Sequence, residues 1–287
     1  MIAHVAQTGE DRGRVVLQLG SAQPSSIALE AAVRIARAFQ SEGESLFVED
    51  AQLFDCAAYG FVREVSLTGQ QRRVMSAAAM AEDLRLAAQA ARRQLEALAR
   101  RAEVPLRSRV VRDEPLRALS IACAESGPWN LVALAEPFSS GNSGLLKQLL
   151  EEIPGTTGLV LVGPKACRLS GPIVAAVEDA ERLPAVLRTA ERLAAVDGAA
   201  IVLLLVAGDA EQLLRMDEQA RLVVGGREDV RIEVGEVARG EAGVIAEALR
   251  RLRGGFVICQ FGGLVVPEQG DLRHLAAVLE CPLLVAR

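Results

Sequence analysis

The sequence is short of several things at once. Only 3% of its 287 residues are aromatic, with one tryptophan and one tyrosine. Surfaces that stack single-stranded bases are built from such rings, so that class of nucleic-acid binding is not expected. The two histidines, His4 and His274, are too few for a histidine-based metal centre. The five cysteines, Cys56, Cys123, Cys167, Cys259 and Cys281, contain no Cys-x-x-Cys pair and are odd in number. That pattern suggests neither a zinc ribbon nor a disulfide framework. Lysine occurs only at Lys147 and Lys165, and neither stands in the glycine-rich setting of a P-loop. No apolar run reaches the roughly 18 residues of a membrane span, and the first residues lack the basic-then-apolar order of a secretory leader. The expectation is a cytoplasmic protein that does not engage a membrane.

What the chain does have is apolar bulk and nearly balanced charge. The hydrophobic fraction is 51%, enough for large cores. Thirty-two basic against 37 acidic residues give a net charge of −5, which excludes a broad cationic footprint for nucleic acid. Counted through Lys165, the first part holds 18 basic and 19 acidic residues and the rest 14 and 18, or −1 and −4. Neither end is a charged tail.

The order of patterns is more telling than the composition. RVVLQL at 14–19 reads as a buried strand stopped by Gly20-Ser21. Pro24-Ser25-Ser26 then opens a helix with Ile27, Ala28, Ala31, Ile35 and Phe39 on one face, and a strand follows at 45–48. Residues 50–70 read as irregular, and 72–102 as one long amphipathic helix with Leu84, Ala91, Leu95 and Leu98 inward. A strand at 106–111, a helix opened by Asp113-Glu114-Pro115, a strand at 130–135, a polar loop, a short helix and a strand at 158–162 complete the first set. After a linker at 163–172 the pattern restarts. Strands at 173–177, 201–206, 230–234, 256–259 and 282–285 alternate with helices, the last of them over 271–279.

Each half therefore reads βαβαβαβαβ, which implies parallel strands covered by helices on both faces. The expected organisation is two tandem α/β domains, 1–165 and 166–287, each an open five-stranded parallel sheet. An insertion at about 50–72 distinguishes the first.

Three segments carry a resemblance to the universal stress protein family, which spans nearly the whole chain. VVLQLGSAQPSSIALEAAVRIA resembles that family's first strand, turn and first helix. CPLLVAR is similar to its closing Cys-Pro strand, and GLVLVG is the weaker counterpart in the first half. NLVALAEPFSSGNSG and GGFVICQFGG stand where the family has its fourth strand and phosphate loop. The resemblance implies two adenine-nucleotide α-hydrolase-like domains packed as a pseudo-dimer, with ATP or AMP as the ligand in members that bind nucleotide.

Neither half carries the complete nucleotide motif of that family, Gly-x2-Gly-x9-Gly-Ser/Thr. The first half has Gly141 and Gly144, but Pro154 falls at the next position of the motif; the loop aligns better with Ser143-Gly144 just ahead of the helix. In the second, Gly262-Gly263 and Gly270-Asp271 are too closely spaced, and Asp271 would repel phosphate. Leu19 stands where the family has an acidic residue near the base or ribose; Glu178, beside Asp179, holds the comparable place in the second half. The candidate phosphate and crevice residues are Ser21, Ser140, Gly141, Ser143 and Gly144, whose hydroxyls and amides could cradle an anion or simply cap a helix.

Glu178 and Asp179 are adjacent after a strand and are expected to point apart rather than act as an acid–base pair. The segment LFDCAAYGFVREV, with Phe54, Tyr59 and Phe61, is a candidate partner or dimer surface, a plug for the sheet, or a lid. No catalytic set is apparent. The functional expectation is a stress-associated binding or regulatory protein without catalysis, acting through a protein partner or self-association, a homodimer included. The alternative is an ATP/AMP-binding protein with slow hydrolysis in the first-half crevice; a third class, an enzyme of the wider α-hydrolase-like group, lacks a convincing acid, base or nucleophile.

Overall fold

The computed structural model describes residues 13–20, 24–66, 68–70, 72–125, 129–134, 145–151, 153, 155–235, 242–268, 275 and 278–287. Ten strands form one continuous sheet. The first half supplies β1 (Arg14–Leu19), β2 (Glu42–Asp50), β5 (Leu106–Asp113), β6 (Asn130–Leu134) and β7 (Thr156–Leu161). The second supplies β8 (Ile173–Val177), β9 (Ile201–Val206), β10 (Val230–Gly235), β11 (Phe256–Gln260) and β12 (Leu283–Ala286). Across the sheet the order is β10-β9-β8-β11-β12-β7-β6-β1-β2-β5. Both five-stranded blocks thus run third, second, first, fourth, fifth, with every pair inside a block parallel.

The α/β class and parallel pairing match the sequence reading; the two expected sheets are fused into one. The fusion is the antiparallel pairing of β7 with β12, Leu161 opposite Leu283 through Gly158 opposite Ala286. A fifth strand left at the edge of each block would expose unpaired N–H and C=O groups. Pairing the two edges satisfies both.

The strands alternate, and the helices divide between two faces accordingly. Val15, Leu17 and Leu19 of β1 join one core, with α1 (Ser26–Ala38), α3 (Ala77–Arg101), α6 (Leu183–Ala195) and α7 (Ala210–Val224). Val16 and Leu46 join the other, with α4 (Pro115–Ala124), α5 (Leu145–Glu151) and α8 (Ala242–Arg251). The helices form where caps and spacing agree. Ser25 accepts from the Ala28 N–H at 3.1 Å to start α1, and Asp209 accepts from the Gln212 N–H at 2.7 Å to start α7. In α3 the buried residues Leu84, Ala88, Ala91, Leu95 and Ala99 recur every three or four positions, as a one-sided helix requires.

The insertion is more ordered than the sequence suggested. Asp50 caps a short helix, α2 (Ala51–Ala57), and an antiparallel hairpin follows, β3 (Arg63–Val65) with β4 (Arg72–Val74). The helix expected from residue 72 starts at Ala77, because Glu64 and Arg73 pair across the hairpin and Ser76 caps the helix at Ala79. The helix expected over 271–279 falls mainly outside the described residues.

Two polar devices support the sheet. Glu44, buried on β2, pairs with Arg14 of β1 at 2.5 Å and with Arg109 of β5 at 3.1 Å, tying three neighbouring strands. Arg34 of α1 reaches across to the second half. It donates to the Leu169 carbonyl of the linker at 2.5 Å, pairs with Asp197 at 3.1 Å, and lies 5.3 Å from the Phe256 ring centroid. Burial lowers its pKa, and Asp197 opposes that effect.

At the seam only glycine fits position 158: a Cβ there would lie 2.9 Å from Leu131 Cδ2 and 2.9 Å from the Val285 carbonyl oxygen. Gly158→Val is therefore expected to destabilise the protein by about 1–3 kcal/mol through overpacking. Gly208→Ala, where a Cβ meets open space, should stay within about 0.5 kcal/mol of the parent. Urea unfolding of the two variants checks the contrast.

Candidate functional site

In doubly wound sheets ligands sit beyond the carboxyl ends of the strands, where the strand order reverses. That point falls between β1 and β6 in the first half and between β8 and β11 in the second. Because β7 and β12 are antiparallel, the two crevices open at opposite ends of the sheet.

Of the first crevice the structure describes the floor. Leu19 is 1% exposed and packed into the core at the end of β1, so no acidic side chain occupies that position. The candidate residues Ser21, Ser140, Gly141, Ser143 and Gly144 all lie outside the described residues.

The second crevice is described in more detail, and it holds an anion of its own. Glu178 follows β8 directly and is 9% exposed. Its Oε2 accepts from the backbone N–H of Leu264 and from that of Val265 at 3.3 Å, in the loop that follows β11. Those amides lie just beyond GGFVICQFGG, the segment that the sequence resemblance sets against the family's phosphate loop. The loop takes this shape because Gly262 has φ +81° and because a Cβ at Gly263 would overlap the Glu178 carboxylate. Burial pushes the Glu178 carboxyl above its ordinary range, while the two N–H donors pull it down by a smaller amount. Asp179 turns away: it caps the following turn by accepting from the Glu181 N–H at 2.9 Å and lies 3.9 Å from Arg182. The adjacent carboxylates do point apart, as expected. The sequence reading missed the capture of the loop by Glu178; its signal was the Gly262-Gly263 pair immediately beyond a strand.

Three of the cysteines, Cys123, Cys259 and Cys281, are buried. Burial pushes the Cys123 thiol up to about 11 and the Cys281 thiol up to about 12, and raises Cys259 well above its ordinary value. A thiolate is strongly disfavoured at all three. Cys56 and Cys167 are exposed and unbridged. Among the described residues no group of three His, Cys, Asp or Glu side chains could hold a metal ion, and no helix is long and apolar enough to cross a membrane.

The insertion presents its apolar residues outward. Tyr59 and Phe61 are 58% and 79% exposed, with ring centroids 5.7 Å apart, and Val65 and Val74 of the hairpin are exposed nearby in the chain. Phe54 instead packs inward, under the guanidinium of Arg112 at 3.7 Å. The segment therefore anchors to the body through Phe54 and offers Tyr59 and Phe61 to solvent.

This geometry is that of a doubly wound α/β fold present as two blocks of the same strand order. No family model and no curated protein matches the sequence. Solved structures match over nearly the whole chain. A universal stress protein from Archaeoglobus fulgidus DSM 4304 is 11% identical, with 95% of this chain and 96% of that one covered and a TM-score of 0.56. A Pseudomonas aeruginosa UCBPP-PA14 protein described as a universal stress protein is 18% identical, with 96% and 94% covered and a TM-score of 0.54. The cytoplasmic domain of a prokaryotic cation chloride cotransporter is 11% identical, with 96% and 95% covered and a TM-score of 0.56. The chain has the universal stress protein fold, as the three sequence segments implied.

Glu178→Gln keeps an acceptor for the loop amides and removes the buried charge. A carboxyl whose folded pKa is raised binds protons more tightly in the folded state, so it costs stability as pH rises from the ordinary carboxylate range through the folded value. The stability of the parent relative to Glu178→Gln should therefore fall between pH 4 and pH 7. Denaturant unfolding of both proteins at the two pH values measures this; a constant or widening advantage for the parent contradicts it.

Proposed function

We propose that the protein is a cytoplasmic, stress-associated binding and regulatory module, built as two repeats of one unit, that has no catalytic activity and is not a strong ATP binder. The observation that carries this reading is the Glu178 carboxylate on the Leu264 and Val265 amides. An incoming phosphate would have to displace a carboxylate that is already hydrogen-bonded, and would meet its negative charge. In the first half, Leu19 leaves the end of β1 without the acidic group that the family resemblance associates with the base or ribose.

Protein contacts are the means of action this reading includes, and the insertion supports them. Tyr59 and Phe61 are large rings exposed in the turn between a short helix and a hairpin, the kind of aromatic pair that supplies interface energy. The proposal includes self-association through this surface. A second reading is kept because the sequence of the first-half loop, with Ser140, Gly141, Ser143 and Gly144, has the residue types of a phosphate cradle: the protein would bind ATP or AMP there and hydrolyse ATP slowly. The same fold serves as a domain of a cation chloride cotransporter, so fold by itself does not choose between these roles.

Isothermal titration with ATP and with AMP, magnesium present, separates the readings. No heat at millimolar nucleotide is expected. Binding tighter than about 100 µM, or about 5.5 kcal/mol, that collapses when Gly144 is replaced by a bulky residue would overturn the proposal in favour of the first-half crevice. For the insertion, Phe61→Asp is expected to leave the melting temperature within about 2 °C, as an exposed substitution should, and to abolish any concentration-dependent association seen by sedimentation of the parent.

A further inference from the structure

One cavity lies between α6 and the sheet and reaches the carboxyl end of β11 at Gln260, beside the second crevice. It measures about 700 Å³ and sits over the seam between the two halves. Leu131 of β6, Ile258 of β11 and Leu284 of β12 form its floor, and Trp129 and Phe39 close one end as an edge-to-face pair 6.2 Å apart. Thr157 also lines it, at the point where the β6–β7 register slips by one residue. The facing wall is one side of α6, where Ala185, Arg188, Thr189 and Arg192 follow Arg182 at helical spacing. Arg287 completes the rim.

The charge of this rim is one-sided. No aspartate or glutamate lines the cavity among the described residues. Arg182 has the Gln260 side-chain oxygen as an acceptor and Asp179 at 3.9 Å, and Arg188, Arg192 and Arg287 make no ion pair with a side chain among the described residues. The two halves of the molecule treat equivalent arginines differently. When α1 and α6 are aligned on their buried positions, Ala28–Leu29, Ala31–Ala32 and Ile35–Ala36 fall on Val186–Leu187, Thr189–Ala190 and Leu193–Ala194. Arg34 then falls on Arg192, and Phe39 on Asp197. Arg34 has its counter-charge in Asp197 and a carbonyl acceptor in the linker at Leu169. Arg192 meets the Phe39 ring instead, 5.7 Å from its centroid, and has no carboxylate partner among the described residues.

An unpaired guanidinium fork beside an apolar floor is complementary to an acidic head group on an apolar body. The volume falls in the range of small-molecule sites, about 300–1,000 Å³, whereas a protein partner would need a face of about 800 Å². We propose that the seam cavity binds an amphipathic organic anion, its apolar body on Leu131, Ile258 and Leu284 and its carboxylate or phosphate head against Arg188 and Arg192. The counter-charge that Asp197 supplies to Arg34 would come, at Arg192, from the ligand. The apolar floor and the Arg188 and Arg192 guanidinium groups include neither Glu178 nor the loop it holds, so this assignment does not rest on whether nucleotide binds at that loop.

Trp129 is the only tryptophan and lines the cavity, so its fluorescence reports occupancy directly. Decanoate and decyl phosphate are the probes, with decanol as the neutral control. Saturable change in Trp129 emission is expected with at least one anion, at a concentration at least tenfold below that needed for decanol; whichever anion binds more tightly assigns the head group. Arg188→Ala combined with Arg192→Ala, both partly solvent-facing, should weaken anion binding at least tenfold and leave the decanol response unchanged. Ala185→Phe, which fills the cavity from α6, should abolish both responses. Absence of a saturable signal below millimolar probe overturns the proposal. So does equal binding of decanol and the anions, or anion binding unchanged in the double arginine variant. The double variant decides the matter should Ala185→Phe fail to fold.

Discussion

The pairing of β7 with β12 is the constraint on which the rest of this molecule depends. Two parallel five-stranded blocks each end in an edge strand, and a buried apolar edge such as Leu159–Leu161 cannot be left without hydrogen-bond partners. Antiparallel pairing satisfies both edges and fixes everything else. It sends the carboxyl ends of the two blocks in opposite directions, so the two crevices cannot cooperate on one ligand. It also brings α1 of one half against the second half, where Arg34 finds Asp197 and the Leu169 carbonyl. Gly158 records how close the strands and the Leu131 side chain come.

The second crevice illustrates how an anion site can be satisfied from within. Backbone amides beyond β11 point at the space where an anion would sit, and an unpaired buried N–H is costly. Glu178 meets them at the cost of burying its own charge, which is why its pKa rises even though two donors favour ionisation. The loop and the carboxylate are thus mutually dependent: Gly263 has no room for a side chain because Glu178 is there. An internal group held by the chain also has an entropic advantage over a diffusing ligand, since its ordering accompanies folding.

The strands and the division between the two faces were legible because burial imposes short-range patterns. IVLLLV at 201–206 and RVVLQL at 14–19 are buried runs bounded by polar or glycine residues, and both are strands. The hairpin over 63–74 was not legible. Its pairing of Glu64 with Arg73 spans nine residues and leaves no periodicity, so the polar stretch before Ser76 looked continuous with α3. The Glu178 contact with Leu264, 86 residues away, depends on tertiary geometry that no local pattern encodes. The seam cavity was illegible for the same reason. Arg188 and Arg192 resemble ordinary solvent-facing helix residues until the apolar floor opposite them, Leu131, Ile258 and Leu284, is seen.

The two halves share a strand order and differ in how their equivalent positions are completed. Where the second half has Asp197 the first has Phe39; Arg34 is held by Asp197 and the Leu169 carbonyl, whereas Arg192 lies against the Phe39 ring. Where β8 is followed by Glu178, β1 is followed by Gly20. These differences do not disturb the sheet, because none lies in the hydrogen-bonded ladder or its core-facing positions. They fall at helix ends, strand ends and the linker, where a change alters charge and access while burial in the strands stays intact. A sheet with two copies of one topology can therefore close one crevice with its own carboxylate and leave a cationic cavity over the seam, each in a different physical state on a common scaffold.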